Sequence, residues 1–374
     1  MIELHICLWG EDNFKNYTPL LIQHNKAQLL VLGDISEEAD IKRSLVNAGE
    51  HPFVLEWPAK ANPADFSRLE HVLEEINAQK ILLNLSTGSR LNTLQLFQWA
   101  TQKNIECYLI DEDDHQQWLI PSDRPSKNVA DLASLKAYFR VHQIKLLSHG
   151  LGIPITKELG RLVETWIQSP SIYPLFRSLN RLASSAIRDD PSTSSSAYYS
   201  KLDRHWQQSQ LFPLLLDLQE HNLIKCKHKT VTFSNEACRF FCNGGWMELF
   251  VYEQVRRLKT NIPQIQDIRL GLEISYKEEI KNELDVVFLA DNQLYLIEVK
   301  TSYLADKIVP ANQMIYKLEA LSNALGEEVK GMIVTLSDIP TSAHKRAGLY
   351  DLEVVSGTQL RHLTSRLKQW VEGE

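Results

Sequence analysis

The sequence predicts an α/β chain in three parts, and three observations carry that reading. Short apolar runs alternate with amphipathic stretches over residues 1 to about 125. Helical patterns dominate from there to about 235. A second set of strands with flanking helices fills the remainder.

In the first part, IELHICLW, AQLLVLGD, PFVLEW, KILLNLS and IECYLID read as strands. Helical patterns near 36–49, 63–78 and 89–103 lie between them. KILLNLS is almost continuously apolar, as a strand covered on both faces should be. Strand–helix alternation of this kind predicts a parallel, Rossmann-like sheet over 1–125. SDRPSKN (122–128) is a polar break. Residues 126–235 read as a helical linker, with LASLKAYFRVHQ, TKELGRLVETWIQ and LFPLLLDLQEHNLI as amphipathic segments and DDPSTSSSAYYS (189–200) as a loop. LLDLQEHNLIKCKHKTVTFS reads as a helix followed by a small β-ribbon, in the manner of a winged helix. Residues 236–374 form the third part, in the order α-β-β-β-α-β and then more. ACRFFCNGGWMELFVYEQVRRL is its first helix, with Gly244 and Gly245 marking a possible true start.

Composition excludes several classes. Hydrophobic residues make up 44% of the 374 and charged residues 23%, which is ordinary for a globular chain. A formal net charge of −7 gives no overall basic field for nucleic acid, although a local groove can be basic on an acidic chain. The N-terminal MIELHICLWG lacks a basic n-region and a long apolar core, so no signal peptide is expected. No stretch approaches the ~20 apolar residues that span a bilayer, so no membrane partner is expected. Five cysteines, odd in number and mostly far apart, suit a reduced, cytoplasmic protein.

The chemistry concentrates in NELDVVFLADNQLYLIEVK, residues 282–300. Two strands rich in β-branched and aromatic residues flank Asp291-Asn292, a pair suited to a tight hairpin turn. Folding there brings Asp285, near the start of one strand, to Glu298, near the end of the other. Glu298 and Lys300 are two apart and so share a face. Charges inside an apolar hairpin are costly unless paired or bound to a metal. Two carboxylates with further oxygen ligands suit Mg²⁺ or Mn²⁺, which can activate water and stabilise charge on a phosphate. Lys300 can stabilise developing negative charge. Glu248, on the preceding helix, can complete the metal shell, and Glu283 lies two residues before Asp285. The bland alternative is a surface hairpin with a Glu–Lys pair. The apolar run LYLI leading into Glu298 speaks against it.

Glu248 on a helix, then Asp285, then Glu298-Val299-Lys300 resembles the PD-(D/E)xK nuclease pattern. The resemblance implies a restriction-endonuclease-like domain, with Asp285, Glu298 and Glu248 as metal ligands and Lys300 assisting hydrolysis. Leu284 stands where the pattern's name has proline. Gln313, Tyr316 and Lys317 on the following helix resemble the extra polar positions some members carry.

LLNLSTGSRLNTLQLF joins a buried strand to a helix. Ser86 to Ser89 form a small-residue turn whose free N–H groups and helix dipole attract phosphates. Arg90 adds charge, and Asn84 ends the strand. An ordinary N-cap explains such a turn equally well. The segment resembles the strand-four to helix-four signature of CRISPR-associated Rossmann-fold (CARF) domains. In that comparison Thr87, Gly88, Ser89 and Arg90 match the ligand-contacting turn, and Asn84 at the strand's end is a further candidate ligand contact. The loop Trp9-Gly10-Glu11-Asp12-Asn13 matches the second contact region, with Gly10 and Asn13 as its contacts.

A CARF-like domain, a helical or winged-helix-like middle and a PD-(D/E)xK domain together resemble the single-CARF nuclease effectors of type III CRISPR systems. The resemblance implies a homodimer activated by a cyclic oligoadenylate, of which cyclic tetra-adenylate is the first choice. It implies Mn²⁺ or Mg²⁺-dependent cleavage of DNA, single-stranded or supercoiled, of single-stranded RNA, or of both. The setting it implies is antiviral defence.

Other features weigh less. Cys226, His228, Cys238 and Cys242 do not have a standard zinc spacing, so core thiols are the expectation. KCKHK (225–229) reads as a solvated ribbon that could touch phosphate only if it lies on a winged-helix-like element. Trp246 and Phe250 read as core rather than base-stacking residues. No HExxH and no G-x-S-x-G elbow is present. Two competing functions remain: a nucleotide-sensing transcription regulator that binds duplex DNA through the middle region, and a nuclease whose N-terminal domain only dimerises. A regulator has no use for the Asp285/Glu298/Lys300 trio.

Overall fold

The fold was obtained as a computed structural model, which describes residues 3–10, 12–23, 27–46, 52–148, 156–188, 197–276, 280–326 and 328–373. Glu11 and residues 189–196, both within segments read above from the sequence, lie outside the described residues.

The N-terminal sheet contains β1 (Glu3–Leu8), β2 (Ala27–Gly33), β3 (Phe53–Glu56), β4 (Lys80–Asn84), β5 (Glu106–Ile110), β6 (His115–Ile120) and β7 (Lys127–Asn128). Their order is β3-β2-β1-β4-β5-β6-β7, with the first five parallel. The five expected strands are all present. β6 and β7 extend the sheet antiparallel, beyond what the sequence predicted. β1 and β4 lie side by side at the centre. Helix Pro63–Ile76 begins at an Asn62 capping box, and helix Arg90–Lys103 begins at Ser89, whose hydroxyl accepts from the Asn92 N–H.

β8 (Lys145–Leu146) departs from the expected helical linker: it pairs antiparallel with a strand of the C-terminal sheet, Ile265–Tyr276, and forms that sheet's edge. The helix before it, Leu135–Val141, buries Leu135, Tyr138 and Phe139 in a core shared with that sheet. The middle of the chain then folds β9 (Ile187–Arg188), β10 (Tyr198–Lys201), β11 (Ile224–Lys227) and β12 (Thr230–Phe233) into a four-stranded sheet of order β11-β12-β10-β9. Helix Phe212–Glu220 followed by the β11–β12 ribbon matches the expected helix and ribbon. Tyr198–Ser200, read as loop, belong to β10 instead.

The third sheet holds β13 (Ile265–Tyr276), β14 (Ile280–Ala290), β15 (Gln293–Lys300), β16 (Lys330–Thr335) and β17 (Glu353–Ser356), in the order β17-β16-β15-β14-β13-β8. β13 to β15 form an antiparallel meander, and β15 to β17 run parallel. Asp291 (φ 46°) and Asn292 (φ 56°) are both left-handed, the conformation that a two-residue hairpin turn requires. Alternate residues feed two cores. Val286, Phe288, Ile297 and Val299 pack towards helices Trp246–Leu258 and Leu363–Glu372. Val287, Leu289, Leu294 and Leu296 pack towards helix Ile308–Leu325.

Candidate active site and ligand crevice

The β14–β15 hairpin brings Asp285, Glu298 and Lys300 together, as their spacing predicted. Val286 is the last β14 residue paired with β15, opposite Ile297. One residue further out, Asp285 Oδ2 accepts the Val299 N–H at 2.7 Å. The Lys300 ammonium lies 2.7 Å from Glu298 Oε1 and 3.8 Å from Asp285 Oδ2. Glu298 is only 3% exposed and Asp285 8%, which rules out a solvated surface pair. On helix Ile308–Leu325, Lys317 reaches Glu298 with Nζ 2.9 Å from Oε2.

Glu248 enters from the helix Trp246–Leu258. Its aim depends on the break before that helix, where Gly244 adopts φ 108° in a single wide turn. A side chain at Gly244 would place its Cβ 2.6 Å from Thr301 Oγ1, so both the backbone and the space select glycine. The Thr301 hydroxyl in turn accepts from Asn180 Nδ2 at 2.8 Å. Glu248 Oε2 is buried without a hydrogen-bond partner. Burial, then the Asp285 and Glu283 carboxylates, pushes the Glu248 carboxyl up to about 9. Burial and the Glu298 carboxylate push Asp285 up to about 7. Burial pulls Lys300 down, but Asp285 and Glu298 outweigh it and leave its pKa raised.

Among the described residues, no three His, Cys, Asp or Glu side chains are drawn together tightly enough to hold a metal as they stand. Two ammonium groups hold Glu298 instead. The donor set still fits a hard divalent cation. It offers carboxylate oxygens, one of them orphaned, and burial followed by mutual repulsion that raises two of the acids. Cys226, Cys238 and Cys242 are free thiols, and burial raises all three. With His228 they form no metal cluster among the described residues.

The N-terminal crevice forms where the strand order reverses, between the C-terminal ends of β1 and β4. In open α/β sheets that is where ligands bind. The two predicted contact regions meet there. A Cβ on Gly10 would approach the Gly88 nitrogen to 2.5 Å. Gly88 (φ 92°) sits so close to Leu8 that its own Cβ would come within 2.5 Å of the Leu8 Cβ. Ser89 and Arg90 are exposed at the helix start. Thr87, Asn13 and Asn84 are buried and turned to internal bonds. Thr87 Oγ1 donates to Leu8 O at 2.6 Å, the Gly10 N–H donates to Asn13 Oδ1 at 3.0 Å, and Asn84 Nδ2 donates to Lys15 O at 2.8 Å. These three hold the crevice in shape beneath Gly88, Ser89 and Arg90.

The crevice and the acidic site are joined through the chain. Lys15, on the short helix Phe14–Tyr17 that follows the first crevice loop, pairs with Glu328 at 2.7 Å. Tyr138 Oη donates to Leu325 O at 3.0 Å, and its ring packs on Phe14 at 4.8 Å between centroids. Leu325 and Glu328 lie at and just beyond the end of the helix that carries Lys317. None of these long-range pairs was predicted. Only Lys317 had been singled out in the sequence.

The fold and site define a class: a Rossmann-like unit joined to an α/β unit with buried Asp and Glu carboxylates and a half-buried Lys at a hairpin's open end. The relatives place the chain more closely. Residues 234–373 match the family model described as the Card1-like endonuclease domain. Over 99% of its length the chain superposes on 98% of a crystal structure of protein VC1899 from Vibrio cholerae, with a TM-score of 0.84 and 24% identity. Over 98% it superposes on 96% of Can2 from Sulfobacillus thermosulfidooxidans, solved in complex with cyclic tetra-adenylate, with a TM-score of 0.72 and 21% identity. No curated protein matches in sequence. The resemblance to CARF nucleases is borne out in fold over nearly the whole chain and, over residues 234–373, in the endonuclease family model. No helix among the described residues is long and apolar enough to cross a membrane.

Proposed function

We propose that the chain is a nuclease of type III CRISPR defence, activated by a cyclic oligoadenylate and dependent on Mn²⁺ or Mg²⁺. The observation that carries this reading is the cluster of Glu248, Asp285, Glu298 and Lys300, in which Asp285 and Glu298 are buried and Glu248 and Lys300 half-buried. It lies within the segment that matches an endonuclease family model. Can2, similar in fold over nearly the whole chain, was solved with cyclic tetra-adenylate, which supports that ligand for the crevice.

Asp285 and Glu298 would hold the metal, with Glu248 as the third donor. When bound, a divalent ion neutralises these carboxylates, lowers the pKa of water and offsets phosphate charge. Lys300 is placed to meet the negative charge that develops on the phosphate, because its ammonium already sits beside the carboxylates on a side chain that is 40% exposed. The Val299 N–H fixes the orientation of Asp285. Gly10 and Gly88 to Arg90 would receive the ligand's phosphates across a homodimer. The substrate is nucleic acid, DNA or RNA.

Lys15–Glu328 and Tyr138–Leu325 join the crevice to the helix bearing Lys317. A ligand that favours one arrangement of the crevice loop would thereby shift the restraint on Glu298. The test is incubation with Mn²⁺ and labelled single-stranded RNA, single-stranded DNA and supercoiled plasmid, with and without cyclic tetra-adenylate, beside Glu298→Gln. Cleavage that needs both the ligand and Glu298 is expected. Cleavage that ignores the ligand removes the sensor, and absence of cleavage with ligand bound shifts the reading to a DNA-binding regulator.

A further inference from the structure

The four-stranded sheet in the middle of the chain has an outer face that the catalytic site does not use. Strand register fixes its composition. Lys227 opposes Thr230, which opposes Lys201. Two residues along each strand, Lys225 opposes Thr232, which opposes Tyr199, which opposes Ile187. Residues opposite one another, and residues two apart, share a face. The face therefore presents three lysines, two threonines, a tyrosine and an isoleucine, with no carboxylate. Its reverse carries Ile224, Val231, Phe233 and Ser200, all buried.

These groups are available. Lys201, Lys225 and Lys227 are exposed, and none forms an ion pair among the described residues. Tyr199 is 38% exposed and Ile187 64%, unusual for two such side chains on one small sheet. The surrounding stretch is locally basic: residues 157–240 hold eleven Lys and Arg against eight Asp and Glu, on a chain of net charge −7. Lys227 and Lys201 stand two strand spacings apart, about 10 Å, and Tyr199 lies beside Lys201, two residues along the same strand and on the same face.

The face also borders the catalytic unit. A groove of about 890 Å³ runs beside Tyr199 and Lys201, and its far wall is helix Tyr173–Ser184, including Ser178 and Arg181. That same helix donates from Asn180 to Thr301, the residue after Lys300. One helix thus touches both the groove beside Tyr199 and Lys201 and the residue that follows the catalytic strand.

We propose that this face binds single-stranded nucleic acid and is the surface that holds the substrate for the Asp285/Glu298/Lys300 site. The role as substrate holder rests on the nuclease reading. The binding itself does not. Unpaired lysines on an open sheet attract a phosphate backbone, and an exposed tyrosine among them offers a platform for an unpaired base, which a duplex keeps stacked inside.

The test measures fluorescence polarisation of labelled single-stranded DNA, single-stranded RNA and duplex on the full chain in EDTA, across a salt series. The wild type is set beside a triple variant Lys201→Gln, Lys225→Gln, Lys227→Gln, beside Tyr199→Ala, and beside Tyr199→Phe. Melting curves verify that these exposed substitutions leave the fold intact. Three lost phosphate contacts should lower the salt slope of log K by about 2. Tyr199→Ala should weaken single-strand binding by roughly fivefold or more while Tyr199→Phe retains it. Unchanged slope and affinity in the triple variant overturn the proposal, as does tighter binding of duplex than of either single strand. Parallel cleavage assays with Mn²⁺ separate the two readings. Binding that depends on the three lysines in a wild type that never cleaves keeps the surface and removes the nuclease. Cleavage by a wild type whose binding ignores them does the reverse.

Discussion

Lys317 Nζ lies 2.9 Å from Glu298 Oε2, so the carboxylate best placed to hold a metal is held by a second lysine besides Lys300. Lys317 is nearly half exposed, so its grip is of the order of a partly solvated ion pair, ~0.2–1 kcal/mol. Replacing Lys317 with Gln should free Glu298 for the cation. The concentration of Mn²⁺ that half-saturates the protein, followed by its effect on melting temperature, should fall by roughly two- to fivefold. An unchanged or higher requirement would show that Lys317 does not compete for the carboxylate.

The Lys15–Glu328 pair spans 313 residues of sequence and joins the crevice loop to the helix that carries Lys317. Lys15→Met should leave cyclic oligoadenylate affinity within about threefold, because the ligand would meet Gly88, Ser89 and Arg90 rather than Lys15. Its effect should fall on activation, the ratio of cleavage with ligand to cleavage without. Glu328→Gln should act in the same way, and the double variant should add little to either single change. Additive losses would place the two residues in separate roles.

Glu248 and Asp285 give the metal-free protein a definite pH dependence. The Glu248 carboxyl ordinarily titrates near 4.5 and is pushed up to about 9 in the fold. The folded state therefore favours the protonated acid. That stability is fully present below about 4.5 and is lost as pH rises through about 9. Asp285 adds the same sign between about 4 and 7. In EDTA the melting temperature should fall from pH 6 to pH 9. Glu248→Gln cannot ionise and should flatten the upper part of that fall. Mn²⁺ should restore stability most strongly at the alkaline end, where the carboxylates are charged. An equal slope in wild type and variant would remove Glu248 from the cluster.

Much of this was legible in the sequence for local reasons. The period-2 runs around Asp291-Asn292 specify a hairpin whose turn needs two left-handed residues, and that alone brings Asp285 and Glu298 to one end. The Gly244-Gly245 pair marked the break that aims Glu248. What escaped was non-local. β9 is two residues long, and β10 is four residues that begin in a serine-rich stretch, so only their partners define them. Lys145–Leu146 becomes a strand because β13 is there to pair with it. HQQWLI alternates too weakly to stand out before its partner β5 is known. The lysine face of the middle sheet is equally hidden, since Lys201 and Lys227 come to oppose the same residue only through β12.

Gly88 tests the crevice apart from the catalytic site. Its φ of 92° is open to glycine, and any side chain would strike Leu8 within 2.6 Å and displace the Gly10 turn that packs against it. A residue forced to hold such a backbone costs about 1–3 kcal/mol, a strain that a chain of this size can absorb without unfolding. Gly88→Ala should therefore remain folded, lose its melting-temperature response to cyclic tetra-adenylate and lose ligand-dependent cleavage. Cleavage without ligand at high Mn²⁺ should stay within about twofold of wild type, because Gly88 lies in the loop after β4 of the N-terminal sheet, whereas Glu298 lies on β15 of the third sheet. Retained ligand response would move the binding site away from the β1–β4 crevice. Loss of ligand-free cleavage together with the response would mean that the N-terminal unit holds the catalytic unit in shape rather than gating it.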